Sequence, residues 1–207
     1  MNFARLFRLA VAALAALAYL PAAAALSDDD KRCLACHAQE GLKKNLGKGD
    51  TLSLHVQGDD FARSVHGDLG CGACHSDIEL KQHPGPGKRI GSAREYAVAK
   101  VEVCGQCHED KAKLFEGSVH ASTLRQGNLW APVCTDCHGS HTVRARAAQE
   151  PMNGISCRKC HDDIFDAYAG SMHGLARGKT GAVKAPICVD CHRAHDVSPA
   201  STGTRLR

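Results

Sequence analysis

The cysteines of this 207-residue sequence all lie in one repeated pattern. Each of the twelve belongs to a C-x-x-C-H run, so two thiols are followed directly by an imidazole. This spacing is the attachment sequence for c-type haem, in which the thiols bond covalently to the porphyrin and the histidine binds the iron. We predict six covalent haem c groups, held at Cys33, Cys36, Cys71, Cys74, Cys104, Cys107, Cys134, Cys137, Cys157, Cys160, Cys188 and Cys191. The predicted proximal iron ligands are His37, His75, His108, His138, His161 and His192.

Two other uses of the cysteines compete with haem attachment. C-x-x-C pairs also build zinc sites, and cysteines in an exported protein pair as disulfides. Neither alternative requires a histidine directly after every second cysteine, whereas haem attachment does. The sequence therefore favours haem over both.

The remaining histidines supply one further iron ligand for each haem. Six of them recur as two histidines in each of three copies of a repeat. In each copy, one histidine lies two residues after a serine, in the pattern S-x-H, and the other lies after the second haem motif. We predict that these are the distal ligands, namely His66, His83, His120, His141, His173 and His195. His55 falls outside the repeat, and we interpret it as a surface or satisfied core residue whose role stays open.

The position of His141 restricts which iron it binds. It follows His138 by three residues, as His195 follows His192. A ligand so close along the chain does not easily reach the opposite face of the same haem, so we expect each to bind the iron of a different haem. Haems linked in this way lie close together, and two histidines on each iron leave no open position for substrate.

The elements that carry these residues form an internal repeat. Residues 104–143 and 157–197 share the order C-x-x-C-H, G-S-x-H, A-P-x-C-x-D-C-H-x-x-H-x-V, and the first part of the chain is a looser copy. The predicted organisation is a signal peptide, three dihaem modules and a disordered tail, at residues 1–25, 26–90, 91–150, 151–198 and 199–207.

The composition indicates a core made by the cofactors. Aromatic residues are only 4% of the chain, too few for a conventional core, so the porphyrins must supply most of the buried apolar surface. We predict a mainly irregular fold with short α-helices around the haems and little or no β-sheet. Helices are expected at residues 27–36, 109–117 and 162–170. The net charge is only +4, and the chain contains charged residues of both signs, which argues against nucleic-acid binding.

The first residues have the character of an export signal. Arg5 and Arg8 precede an apolar stretch that Pro21 interrupts, and small residues follow at the predicted cleavage site. The apolar stretch is short for a membrane span, and no later segment is apolar enough to cross a bilayer. We expect a periplasmic or cell-surface protein with no transmembrane segment in its mature form.

The chain resembles the multihaem c-type cytochromes of bacteria. The resemblance covers residues 27–197 and is carried by the doubled C-x-x-C-H motifs, the S-x-H histidines and the run TLSLHVQGDDFARSVHGDLGCGACHSDIELKQHP. It implies periplasmic electron transfer, with a membrane quinol dehydrogenase or cytochrome b as donor and a periplasmic or outer-membrane cytochrome or reductase as acceptor. The C-x-x-C-K motif of the related nitrite reductases is absent. The position of His55 is often aromatic in such proteins.

We therefore predict an electron carrier and not an enzyme. One alternative is a small reductase for a nitrogen or sulfur oxyanion with one open haem, for which the irregular first module is the place to look. Another is a subunit of an extracellular haem filament. Family analogy alone does not choose among the three functions.

Overall fold

The computed structural model describes residues 26–85, 89–145, 155–180 and 185–198. The segments predicted as signal peptide and as disordered tail lie outside the described residues.

Short helices dominate the described part of the chain. They are α1 (Asp28–His37), α2 (Gly58–Ala62), α3 (Cys71–Cys74), α4 (Ala93–Ala99), α5 (Val101–Gly105), α6 (Glu109–Glu116), α7 (Val119–Arg125), α8 (Cys134–His138), α9 (Ile155–Arg158), α10 (Asp162–Gly170), α11 (Met172–Thr180) and α12 (Cys188–His192), with a 3₁₀ turn at Gly67–Leu69. The predicted fold class is confirmed. The three helices expected from sequence correspond to α1, α6 and α10, and their ends agree to within a residue.

A single antiparallel hairpin is the only sheet in the described residues. Strands β1 (Lys43–Gly47) and β2 (Asp50–Ser53) pair with Lys43 opposite Ser53. Gly47, Lys48 and Gly49 all have positive φ, a conformation that glycine adopts without steric cost and that a tight hairpin turn requires. The hairpin leads the chain from α1 to His55.

The start of α1 is fixed by a buried carboxylate. Ser27 caps the helix by accepting a hydrogen bond from the Asp30 amide, and the Asp30 carboxylate accepts one from the Ser27 amide in return. The same carboxylate accepts a 2.7 Å hydrogen bond from the amide of Cys71. Burial alone would raise the pKa of Asp30, but these hydrogen bonds hold it below its ordinary value. Asp30 thereby joins the first haem motif to the second.

The polypeptide buries little apolar surface of its own. Among the described residues, the buried apolar side chains are those of Phe61, Ala62, Ala121, Ala131 and Val133. Exposed large side chains include Met172, which is 85% exposed. Such a chain does not have a hydrophobic core of the size that normally stabilises a domain.

Equivalent backbone hydrogen bonds join each module to the next. The amide of Val65, in the first S-x-H element, donates to the carbonyl of Val143 in the second module at 2.9 Å. The amide of Val119, in the second S-x-H element, donates to the carbonyl of Val197 in the third at 2.8 Å. The two junctions therefore share one geometry.

No helix among the described residues is both long enough and apolar enough to cross a membrane.

Candidate haem-binding sites

The attachment motifs fold as single helical turns. In three of them the amide of the histidine donates to the carbonyl of the first cysteine, as His75 does to Cys71, His108 to Cys104 and His161 to Cys157. Residues three apart lie on the same face of a helix, so both thiols of a motif face one side. That is the arrangement that two thioether bonds to one porphyrin need.

An aspartate inside the motif stabilises two of these turns. The Asp136 carboxylate accepts a 2.7 Å hydrogen bond from the amide of Val133, the residue before the motif. Asp190 accepts the equivalent 2.7 Å bond from Ile187. Asp136 also forms an ion pair with Arg94 at 2.8 Å, which links α4 to the fourth motif.

The histidine rings lie in pairs, each made of one predicted proximal and one predicted distal ligand. Ten of the thirteen histidines form five such pairs, with ring centres 6.0–6.4 Å apart. The pairs are His37 with His83, His66 with His108, His75 with His141, His120 with His161, and His138 with His195.

This spacing fits an iron between the two rings. A transition metal binds an imidazole nitrogen at about 2 Å. The ring centre lies about 1 Å beyond that nitrogen, given ordinary ring bond lengths. Two imidazoles on opposite sides of one iron therefore have centres about 6 Å apart. The five pairs have this separation, so their residues fit the axial ligand set of a haem c.

Five of the ten paired imidazoles have a pKa that favours the form that binds iron. Burial lowers the pKa of His75, His120, His138, His141 and His195, and nearby charges, including other histidines, add to the effect. A lowered pKa keeps the ring neutral near pH 7, and the neutral ring is the metal ligand.

Four of the five pairs join neighbouring modules. The S-x-H histidine of one module pairs with the histidine of the first C-x-x-C-H motif in the next module, as His66 does with His108 and His120 with His161. A second-motif histidine meets the trailing histidine of the next module. His75 thus meets His141 and not His83, and His138 meets His195. His37 and His83, in contrast, pair within the first module.

The motifs follow one another in space in their sequence order. Within modules, Cys33 lies near Cys71, Cys104 lies near Cys134, and Cys157 lies near Cys188. Between modules, Cys74 lies near Cys104, and Cys137 lies near Cys160. Burial, Asp30 and Cys33 together raise the pKa of Cys71 to about 12. The six motifs thus form one unbroken series.

The serines of the S-x-H elements act as local caps. Ser118 is 1% exposed, and its hydroxyl accepts a 3.1 Å hydrogen bond from the Ala121 amide at the start of α7, the helix that carries His120. Ser171 accepts from the Gly174 amide at the start of α11. Ser64 accepts from the amide of His66. These bonds orient the backbone that carries the three S-x-H histidines, which are half of the predicted distal ligands.

Three histidines are not brought together with a partner ring in the described residues. They are the predicted distal ligand His173, the predicted proximal ligand His192, and His55. The Nε2 atom of His55 is buried and has no hydrogen-bond partner there. His55 lies between Leu54, whose carbonyl is 2.7 Å from Nδ1 of His37, and Val56, whose amide donates to the carbonyl of His37. His55 is thus next to the first haem motif.

One feature of the sites was missed in the sequence. Phe61 packs edge-on against His141, with ring centres 6.5 Å apart. An aromatic residue recurs three positions before each S-x-H serine, at Phe61, Phe115 and Tyr168. That recurrence was a visible signal that the repeat includes a packing residue beside the ligands.

Comparison with known families agrees with this geometry. A family model described as cytochrome c3 matches residues 130–203. The chain is similar to cytochrome c3 over this stretch. The cytochrome c3-like stretch contains three of the six attachment motifs, at Cys134–His138, Cys157–His161 and Cys188–His192. The match supports a multihaem c-type cytochrome with covalently bound haem c and a role in electron transfer. No curated protein and no solved structure matches the chain.

Proposed function

We propose that the protein is a periplasmic hexahaem cytochrome that carries electrons along a series of closely spaced haems. Its donor is a membrane quinol dehydrogenase or cytochrome b, and its acceptor is a periplasmic or outer-membrane cytochrome or reductase. The observation that carries the proposal is the set of five histidine pairs at 6.0–6.4 Å.

The order of the motifs supports conduction along the chain. Electron hopping needs neighbouring redox centres near contact, and each motif has a cysteine close to a cysteine of the next. Crossed pairs such as His75 with His141 hold successive modules in a fixed relation. The route therefore runs from the first motif to the sixth in sequence order.

The polypeptide contributes attachment, ligation and spacing. The bound haem iron supplies the one-electron redox change. The cysteine pairs would hold each porphyrin, and the five histidine pairs would hold five of the irons and leave small molecules no position on them. Burial lowers the pKa of His75 and His141, which favours the neutral ring that can bind iron.

The proposal is tested on the oxidised, purified holoprotein by electron paramagnetic resonance, with haem quantified on the same sample. We expect six haems per chain, at least five of them low-spin, and full reduction by a quinol-oxidising donor. A count below six contradicts the hexahaem assignment. High-spin signals from two or more haems contradict the paired ligation.

A further inference from the structure

The last module differs from the others in how its ligands are completed. Each S-x-H histidine and each second-motif histidine of the first two modules finds its partner in the following module. His173 and His192 hold these two positions in the third module. The described residues contain no fourth module, and all thirteen histidines of the sequence are among them.

We propose that the haem bound at Cys188 and Cys191 has an exchangeable sixth position, open to a small iron ligand such as carbon monoxide. The inference rests on the proposed hexahaem function and assigns a ligand-binding site within it. It also moves the open haem of the reductase alternative from the first module, where His37 and His83 are paired, to the third.

A pairing of His173 with His192 would differ in kind from the five histidine pairs that the described residues contain. In the first two modules, the S-x-H histidine does not pair with the second-motif histidine of the same module. Both histidines pair with residues of the next module instead. The first module closes with His37 and His83 instead. The equivalents of those two residues in the third module are already paired, His161 with His120 and His195 with His138.

The backbone beside His173 also lacks the contact that fixes the other S-x-H histidines. The amides of Val65 and Val119 donate to valine carbonyls of the next module, which positions the histidine that follows each of them. Met172 holds the same position before His173, and among the described residues its amide makes no such bond. Its side chain is 85% exposed.

His55 does not replace the missing ligand. It lies in the first module between two residues that hydrogen-bond to His37. Cys33 of the first motif lies near Cys71 of the second, whereas Cys188 of the sixth motif lies near Cys157 of the fifth, at the other end of the series. The sixth haem is therefore the one for which the sequence offers no positioned second histidine.

The test is a carbon monoxide titration of the dithionite-reduced holoprotein, followed by the visible spectrum, with haem counted on the same sample. Binding forms one dative bond to ferrous iron and transfers no electron. We expect one carbon monoxide for every six haems. His173→Ala should leave this ratio at one. The matched variant His120→Ala removes a paired ligand and should raise the ratio to two.

The outcomes separate the inference from the proposed function. If the wild-type protein binds no carbon monoxide and His173→Ala binds one, His173 is the sixth ligand and the inference is overturned. If a Cys188→Ala, Cys191→Ala variant with five haems still binds one, the open haem is a different one. A wild-type count below six haems instead contradicts the proposed function.

Discussion

At the scale of single residues, the five ring pairs assign ten of the thirteen histidines to particular irons of the proposed cytochrome. His141 follows the fourth motif in sequence, yet its ring lies 6.3 Å from that of His75 in the second motif. Its effect on redox properties should accordingly fall on the haem at Cys71 and Cys74.

Replacing His141 by methionine is predicted to raise the reduction potential of that haem and leave the haem count at six. Thioether ligation opposite histidine raises the potential of c-type haems. Potentiometric titration measures the shift. The matched variant His120→Met should shift a different haem, the one at Cys157 and Cys160. Potentials identical to wild type in His141→Met would show that His141 does not bind iron.

Asp30→Ala is predicted to destabilise the folded protein by about 1–3 kcal/mol, because it removes a helix cap and leaves the Cys71 amide without its acceptor. Thermal unfolding of the holoprotein measures the loss. The control Asp29→Ala removes only an exposed ion pair with Arg32 and should change stability by less than about 0.5 kcal/mol. Equal effects of the two variants would refute the role given to Asp30.

The lowered pKa of Asp30 gives this contribution a pH dependence. A carboxyl group whose pKa is lower in the folded than in the unfolded chain stabilises the fold above its unfolded pKa. The stability is lost as pH falls through the folded value. The difference between wild type and Asp30→Ala should therefore shrink in acid, and a difference that grows there would contradict the assignment.

At the scale of elements, short helices position the predicted ligands, and the caps of these helices contribute to their stability. Helix α7 is only one to two turns long and carries His120. A helix so short gains little from its own hydrogen bonds, so capping and packing determine its stability.

Ser118→Ala is predicted to cost about 1 kcal/mol, the usual value of a helix N-cap. The haem at Cys157 and Cys160 should become more accessible to external ligands, because the backbone of His120 loses its anchor. Differential unfolding and imidazole binding measure the two effects. Ser122→Ala, on the same helix but away from the cap, is the control. An equal response to both substitutions would count against the capping role.

Local elements were the part most readily predicted from sequence. Helices α1, α6 and α10 follow from polar first turns and from their place beside the haem motifs. The β1–β2 hairpin was not predicted, since its strands contain lysine, asparagine and glycine, which β-strands disfavour. The Gly-Lys-Gly turn, whose residues have positive φ, favours the hairpin despite the low strand propensity of the flanking residues. The partner of each paired distal histidine could not be predicted from the sequence either, because pairs such as His66 with His108 depend on how the modules pack against each other.

At the scale of the whole molecule, stability depends on the cofactors. The described residues include only five buried apolar side chains, far fewer than a domain of this length requires. In the proposed hexahaem protein, the porphyrins would supply the missing buried apolar surface.

The chain produced without haem attachment is predicted to lack cooperative thermal unfolding, whereas the holoprotein unfolds in a distinct transition. Loss of a covalent cofactor removes most of the apolar contacts, as loss of the metal does in small metal-dependent domains. Circular dichroism against temperature makes the comparison. A sharp transition in the haem-free chain would show that the polypeptide folds by itself.

In the proposed periplasmic cytochrome, the crossed pairing of histidines would also set the order in which the haems acquire their second ligands. A chain exported from its amino terminus presents Cys71, Cys74 and His75 well before residues 76–140 have followed and delivered His141. The haem on those cysteines must spend that interval with its distal side incomplete. In the proposed protein, each later module would therefore complete the iron coordination of the module before it, and maturation would proceed in the same direction as translocation.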